Sequence, residues 1–159
     1  PNAYDGAKAL ANGEVTRAHY ARYLVQIGKV SNDGQAFKRY LGGGKSCFVK
    51  AEWVDIPTAI DTIHAAGGVA VIAHPMRYNM TGKWIRRLIV DFKQWGGDGM
   101  EVADSGQTKD QRQYLARLAN EYDLAASLGS DFHFPCGWIE LGKNLFLPEE
   151  VKPIWTLFE

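Results

Sequence analysis

The sequence has 159 residues, of which 46% are hydrophobic and 23% are charged, with 18 basic side chains balancing 18 acidic ones. This length and composition are ordinary for a soluble domain with a sizeable core, and the zero net charge argues against bulk DNA binding. No apolar stretch could span a membrane and no signal-peptide pattern opens the chain, so we expect a cytoplasmic protein. Its cysteines, Cys47 and Cys136, are expected to be reduced thiols, although a disulfide between them is the alternative.

The first third of the sequence predicts helices. A helix begins after a cap at Thr16 and runs to about Ile27, and a second short helix opens at Asn32 or Asp33. The second helix ends at three glycines, 42–44, which form a flexible connection. We interpret this region as helical, with no strand pattern.

From residue 55 onward the pattern alternates between helices and strands. Strands are predicted at 69–73, 100–103 and 124–128. Helices are predicted at 55–66, 83–95, 108–120 and 149–157. The first strand is an uninterrupted apolar run, which is typical of a strand buried on both faces. Strands and helices joined by short glycine-rich connections predict an α/β protein with right-handed βαβ units and a parallel sheet.

Polar residues lie at or near the end of each predicted strand. His74 follows the first strand, Glu101 lies in the second, and Asp131 and His133 follow the third. The carboxyl ends of parallel strands meet at one edge, and imidazole with carboxylate suits Zn, Mn or Fe. An Asp-x-His pair alone is more often a capping Asp beside a surface His. The arrival of His74 and Glu101 at the same edge favours a metal site.

Basic residues near this edge suggest anion binding. Arg77 lies three residues after His74, and its guanidinium suits the oxygens of a phosphate. Arg17 and Lys45 are further candidates that the residues alone would leave as surface charges. His19 and His64 lie inside predicted helices and are expected to be packing or hydrogen-bonding residues.

Longer motifs carry a family resemblance. Residues 64–75 with Arg77-Tyr78, and residues 129–133, resemble the late metal motif and the closing Asp-x-His motif of the PHP (polymerase and histidinol phosphatase) superfamily. Residues 16–21, 37–45 and 135–142 narrow the resemblance to the RNase AM and 3′,5′-nucleotide bisphosphate phosphatase group. The resemblance covers essentially the whole chain.

This resemblance implies a distorted seven-stranded β/α barrel with two or three divalent ions, often manganese. The implied metal ligands, which would also be the catalytic residues, are His74, Asp131 and His133, with Glu101 as a further ligand or a support for one. The implied phosphate-binding residues are Arg17, Arg77 and, more weakly, Lys45. Family members open with a His-x-His motif, which this sequence of four histidines does not contain.

The resemblance therefore implies that the chain corresponds to the C-terminal part of a family member. Residues 1–54 would be a helical insertion that forms a lid, and residues 55–159 the C-terminal βαβ part of the barrel. A complete barrel needs about 250 residues. The N-terminal ligand-bearing strands would belong to a missing half, which is the partner that completes the site.

The function expected of the intact protein is metal-dependent hydrolysis of 3′,5′-bisphosphate nucleotides or of short 5′-phosphorylated RNA, as a 5′→3′ exoribonuclease. The portion seen here is expected to be inactive alone. The sequence leaves two alternatives open. The chain is either a non-catalytic nucleotide-binding or regulatory module, or part of a PHP phosphatase that acts on a small metabolite phosphate.

Overall fold

The structure, a computed structural model, describes residues 2–133 and 140–158. Two compact units divide the chain, Pro1–Trp53 and Val54–Glu159. The first unit contains helices α1 (Ala3–Lys8), α2 (Arg17–Gln26) and α3 (Asp33–Ala36), and the last of these continues as a π-helical turn, Phe37–Leu41. It is the helical region that the sequence predicts.

Local contacts explain the helices of the first unit. The main-chain N–H of Thr16 donates to His19 Nδ1 at 3.0 Å, which confirms a hydrogen-bonding role for His19 at the start of α2. Gly28, with a φ of 70°, ends that helix. Gly6 lets α1 approach α2 closely, because a Cβ there would lie 2.2 Å from the Tyr23 ring. A small core of Ala21, Val30, Ala36 and Leu41 is buried between these elements.

The second unit is built on a parallel sheet. Its strands are β1 (Val71–Ile72), β2 (Gly99–Asp104) and β3 (Ala125–Gly129), in the order β1-β2-β3. Its helices are α4 (Ile56–Ala65), α5 (Gly82–Gln94) and α6 (Lys109–Glu121). The alternation of parallel strands and helices confirms the α/β interpretation of residues 55–159.

Capping residues and apolar stripes set the helices of the second unit. The Asp55 carboxylate accepts the Thr58 amide at 2.8 Å, and Thr108 and Gln111 cap α6 reciprocally. The core between helices and sheet consists of Ile60, Ile85, Ile89, Phe92, Met100, Val102, Leu115 and Leu118 together with smaller residues. Strand β2 lies at the centre of this core, since all six of its residues are buried.

The first strand is shorter and less buried than its apolar sequence predicts. Only Val71 and Ile72 pair with β2; Val71 is half-buried and Ala73 is exposed. Within the described residues β1 is an edge strand, so one side has no neighbouring strand. His74 then adopts a φ of 33°, which turns the chain out of the sheet. The expectation that residues 69–73 are buried on both faces is therefore wrong for this structure.

The predicted last helix, 149–157, is also wrong. Only a 3-10 turn at Ile154–Leu157 forms, because Pro153 has no N–H to donate and its ring would clash with a preceding helical turn. Just before it, Lys152 and Pro153 lie beside β3, where the Ala126 amide donates to the Lys152 carbonyl at 2.7 Å. None of the helices in the described part of the chain combines the length and apolar character needed to cross a bilayer.

The different burial of two isoleucines predicts that their replacement by alanine will have very different effects on stability. Ile89 is fully buried in the core, whereas Ile63 of α4 is 38% exposed. We expect Ile89→Ala to lower the free energy of unfolding by about 2–5 kcal/mol, because it leaves a cavity. Ile63→Ala is the matched control and should cost less than about 1 kcal/mol. Urea unfolding followed by circular dichroism measures both, and equal losses would contradict this description of the core.

Candidate functional site

Acidic and basic side chains from three segments meet at the carboxyl edge of the sheet. Strand β2 supplies Glu101 and Asp104, which are only 8% and 2% exposed. The loop after β1 supplies His74 and Arg77, and the loop after β3 supplies Asp131. The structure thus brings most of the predicted residues to one edge, whereas their roles stay predictions.

The Glu101 carboxylate lies against main chain on two sides. Its Oε2 accepts the His74 main-chain N–H at 2.6 Å. On the other side lies Gly129, where a Cβ would come within 2.7 Å of Glu101 Oε1. A glycine at 129 therefore leaves the space that the carboxylate occupies.

The environment of Glu101 favours a positive charge. Burial raises the pKa of its carboxyl, the His74 amide opposes that effect, and the charges of Asp104 and Asp131 raise the pKa further. A carboxylate under these conditions gains from a nearby cation. The edge is consequently better suited to a cation than to a bare phosphate.

Arg77 connects two carboxylates that come from different strands. Its Nε donates to Asp104 Oδ2 at 2.7 Å, and its Nη1 donates to Asp131 Oδ2. The hydrogen bond to Asp104 raises the pKa of Arg77 against the effect of burial. Burial alone would raise the pKa of Asp104, but the hydrogen bonds from Arg77 and the Gly106 amide outweigh it and lower that pKa. Arg77, predicted to bind phosphate, here binds carboxylates.

Asp104 is the residue that sequence reasoning missed. In a regular strand, residues 101 and 104 would point to opposite faces. The pairing of β2 with β3 shifts register between Glu101 and Ala103, and this irregularity brings both carboxylates to the site. The available signal was an acidic residue at the very end of a buried strand.

His74 has an unused nitrogen. Its Nδ1 is buried and has no hydrogen-bond partner among the described residues. The ring lies edge-on to Tyr78, with the ring centroids 5.8 Å apart, and the Tyr78 hydroxyl donates to the Ala73 carbonyl at 2.7 Å. A buried imidazole nitrogen without a partner is a candidate ligand for a metal or a substrate group.

Asp131 and His133 lie just beyond β3. Asp131 has a φ of 52°, an uncommon conformation for a residue other than glycine. His133 Nδ1 lies 2.8 Å from the Asp131 carbonyl oxygen and 3.8 Å from Asp131 Oδ1, and its side chain is 71% exposed. The His133 ring thus forms a hydrogen bond to the main chain of Asp131. Residues 134–139, which include Cys136 and most of the 135–142 motif, lie outside the described residues.

The donor set fits a divalent ion in chemistry but is not complete. Imidazole and carboxylate groups are suitable ligands for Mn or Zn. Within residues 2–133 and 140–158, however, no three His, Cys, Asp or Glu side chains are placed to hold one ion. The described residues alone therefore do not form a full metal centre.

The other predicted residues lie in the first unit or at the amino ends of strands. Arg17 begins α2, and Lys45 follows Gly44, which has a φ of 72°. His64 Nε2 lies 2.7 Å from Asp98 Oδ2, before the start of β2, which confirms a hydrogen-bonding role for His64. The phosphate-binding roles of Arg17 and Lys45 stay predictions.

Comparison with curated proteins finds close relatives, although no family model matches the chain. A 5′-3′ exoribonuclease of Haemophilus influenzae is 82% identical over 158 residues, which are 99% of this chain and 58% of that protein. The 5′-3′ exoribonuclease Rnm of Escherichia coli is 51% identical, and the chain covers 55% of it. A 3′,5′-nucleoside bisphosphate phosphatase of Chromobacterium violaceum is 40% identical, with 56% covered. The chain spans about half the length of the curated relatives it matches.

Solved structures match the same extent. An amidohydrolase from Chromobacterium violaceum, solved with bound sulfate and no metal, is 39% identical with a TM-score of 0.82. The match covers 98% of this chain and 55% of that one. A protein of Bifidobacterium adolescentis, described as a candidate metal-dependent phosphoesterase, is 27% identical with a TM-score of 0.76, over 98% and 56% of the two chains. The α/β architecture of this chain thus matches part of the fold of these two proteins.

The contacts of Arg77 predict a pH-dependent loss of stability on its removal. Arg77→Met leaves the Asp104 carboxylate, whose side chain is 4% exposed, without its main partner, and should lower the free energy of unfolding by about 1–3 kcal/mol at pH 7. The pKa of Asp104 is lowered in the folded state, so its contribution is present at neutral pH and lost as the pH falls through that pKa. The difference from the wild type should shrink below about pH 4.

The matched control is Arg87→Met. Arg87 Nε also donates to an aspartate, Asp91, at 2.9 Å, but the Arg87 side chain is 67% exposed. Its loss should cost about 0.5 kcal/mol or less. Urea titrations at pH 7 and pH 3.5 separate the two variants, and a pH-independent loss in Arg77→Met would contradict the role of Asp104.

The space at Gly129 gives a second prediction. Gly129→Ala should lower the free energy of unfolding by about 1–3 kcal/mol, because the new Cβ meets the Glu101 carboxylate. Gly82→Ala is the control, since its Cβ would lie 3.6 Å from the nearest atom, the Tyr114 hydroxyl. In a Glu101→Ala background the cost of Gly129→Ala should largely disappear. An undiminished cost there would show that the carboxylate is not the obstacle.

Proposed function

Because this chain is a homologue of the PHP phosphoesterases, over about 55% of the length of those it matches, we propose a function for the longer protein to which it corresponds. That protein is a metal-dependent phosphoesterase. Its substrates are 3′,5′-bisphosphate nucleotides and short 5′-phosphorylated RNA, which it degrades in the 5′→3′ direction. The relatives are hydrolases of both kinds, an exoribonuclease and a bisphosphate phosphatase.

The observation that carries this proposal is the cluster of carboxylates at one edge of the sheet. Glu101, Asp104 and Asp131 contribute three negative charges, and Arg77 contributes one positive charge. Without further cations this edge repels a phosphate. The charge balance supports a site that binds divalent ions before it binds its substrate, and it disfavours a metal-free nucleotide-binding module.

The chain's own residues would supply part of the ligand set. His74 offers its unpartnered Nδ1, Asp131 and His133 offer a carboxylate and an imidazole, and Glu101 is a ligand or supports one. The remaining ligands come from the other half of the longer protein. The chemistry that the ions supply when bound, manganese in this proposal and two or three in number, is the activation of water and the neutralisation of phosphate charge.

Other residues position these groups. Arg77 holds the Asp131 carboxylate at a fixed place relative to β2 through Asp104. The main-chain N–H of His74 fixes Glu101 in the same way. Arg77 would also have an edge of its guanidinium for a phosphate once metal ions compete for the carboxylates. Arg17 and Lys45, on the 1–54 segment that we propose as a lid, would bind further phosphate oxygens.

The activity test uses the full-length protein with Mn²⁺ and follows phosphate release from a 3′,5′-bisphosphate nucleotide. We expect Asp131→Ala combined with His133→Ala to reduce kcat/KM at least about 100-fold, since two ligands are lost. The present chain alone should be inactive. Full activity in the double variant would refute the assignment of these residues.

A matched control removes another Asp and His pair of the same unit. Asp98→Ala combined with His64→Ala breaks their hydrogen bond and that from the Ala70 amide to Asp98, at the amino ends of the strands and away from the carboxyl edge. We expect this variant to keep its activity wherever circular dichroism shows that it is folded. A comparable loss in both double variants would indicate damage to the fold instead of the site.

A further inference from the structure

A cavity with several polar residues in its wall adjoins the carboxyl edge of the sheet. Its volume is about 260 Å³, and its wall includes Ser105, Gln107, Lys109, Arg112, Asn144 and Phe146. Two of the lining residues are cations and none is acidic. Among the described residues, the charges in its wall are therefore positive, in contrast to the carboxylate-rich site beside it.

Two buried donors in this wall have no partner among the described residues. Arg112 is 5% exposed, and its Nη2 donates to the main-chain oxygens of Asp104 and Asn144 at 3.2 and 3.1 Å, whereas its Nε makes no hydrogen bond there. Gln107 accepts the Asp104 amide through Oε1 at 3.1 Å, which leaves its buried Nε2 as a donor without an acceptor. Both donors lack the same thing, which is an acceptor oxygen.

The charge of Arg112 is only partly compensated. None of the ion pairs in the described part of the chain includes it, and residues 134–139 contain no Asp or Glu. The Phe146 ring lies 4.0 Å from the guanidinium carbon and covers one face of it. Burial lowers the pKa of Arg112, as expected for a desolvated cation, and outweighs the opposing effect of the Asp104 charge. An anion in the cavity would compensate this buried positive charge.

Hydrogen bonds link residues of the cavity wall to the candidate site. Arg112 binds the main chain of Asp104, whose carboxylate binds Arg77. Ser105 Oγ donates to the carbonyl of Ser130, the residue before Asp131, at 3.2 Å. Lys109 is the first residue of α6, a helix of 13 residues whose amino end favours negative charge. A substrate phosphate at the site would thus have this cavity as its neighbour.

We infer that the cavity binds the phosphodiester group that follows the scissile one in an RNA substrate. This inference rests on the proposed function and adds a subsite to it. A 5′-phosphorylated dinucleotide has only the scissile phosphodiester, whereas a trinucleotide has one more. The cavity then selects RNA of three or more nucleotides over shorter substrates.

The test compares these two substrates in the full-length protein with Mn²⁺. The wild type should have a lower KM for the trinucleotide than for the dinucleotide. Lys109→Ala should raise KM about tenfold for the trinucleotide only, which corresponds to about 1.4 kcal/mol of binding free energy. Lys83→Ala is the matched control, because Lys83 is an exposed lysine in the first turn of α5 and does not line the cavity.

Arg112→Lys is a second variant with its own fold check. It keeps the positive charge but loses the planar donor set, so the trinucleotide preference should fall while circular dichroism stays unchanged. Lys109→Ala, at an exposed position, carries the test if Arg112→Lys does not fold. A wild type without trinucleotide preference, or a Lys109→Ala variant that keeps it, overturns the inference.

A failure of the proposed function looks different, because the wild type then hydrolyses neither substrate. Titration of fluorescently labelled 5′-phosphorylated di- and trinucleotides still decides the inference in that case. Tighter binding of the trinucleotide that Lys109→Ala removes supports the cavity as a phosphodiester subsite. Equal binding of both nucleotides, or a preference that Lys109→Ala leaves intact, overturns it.

Discussion

The hydrogen bonds of one guanidinium hold the candidate site together. Arg77, from the loop after β1, binds Asp104 at the end of β2 and Asp131 after β3. Two carboxylates from different strands would otherwise repel each other at the edge where the strands end. With Arg77 between them, the loop after β1, the end of β2 and the loop after β3 are held at fixed positions relative to one another. The positions of His74 and Glu101 follow, because both lie directly beside these segments.

Much of the fold follows from short-range features of the sequence. Thr16, Asp55 and Thr108 cap helices that the sequence predicts, and glycines end them, because the effect of these residues on the main chain depends little on distant parts of the chain. The structures of the apolar run at 69–73 and of the segment 149–157 were harder to predict. Their structure depends on whether a neighbouring strand is present and on the missing N–H of Pro153, so composition alone misleads.

The candidate site was predictable in place but not in detail. Residues His74, Glu101 and Asp131 reach one edge because strands of a parallel sheet must end together. A register irregularity in β2 added Asp104, which no periodicity of two could indicate. The pairing of Arg77 with carboxylates and the buried donors of Gln107 and Arg112 depend on side chains far apart in sequence. Only the folded chain brings such groups together.

The left-handed backbone at His74 and Asp131 places a limit on engineering. With φ values of 33° and 52°, both positions would be less strained with glycine, which has no Cβ to crowd the main chain. At position 74, a laboratory selection for heat resistance alone would enrich glycine. At position 131, glycine would also remove the carboxylate that Arg77 binds, so the aspartate would persist. Under the function proposed above, a selection that also rewards phosphoester hydrolysis would retain His74 as well. The two evolved populations would diverge first at position 74, and their sequences would reveal which property each selection favoured.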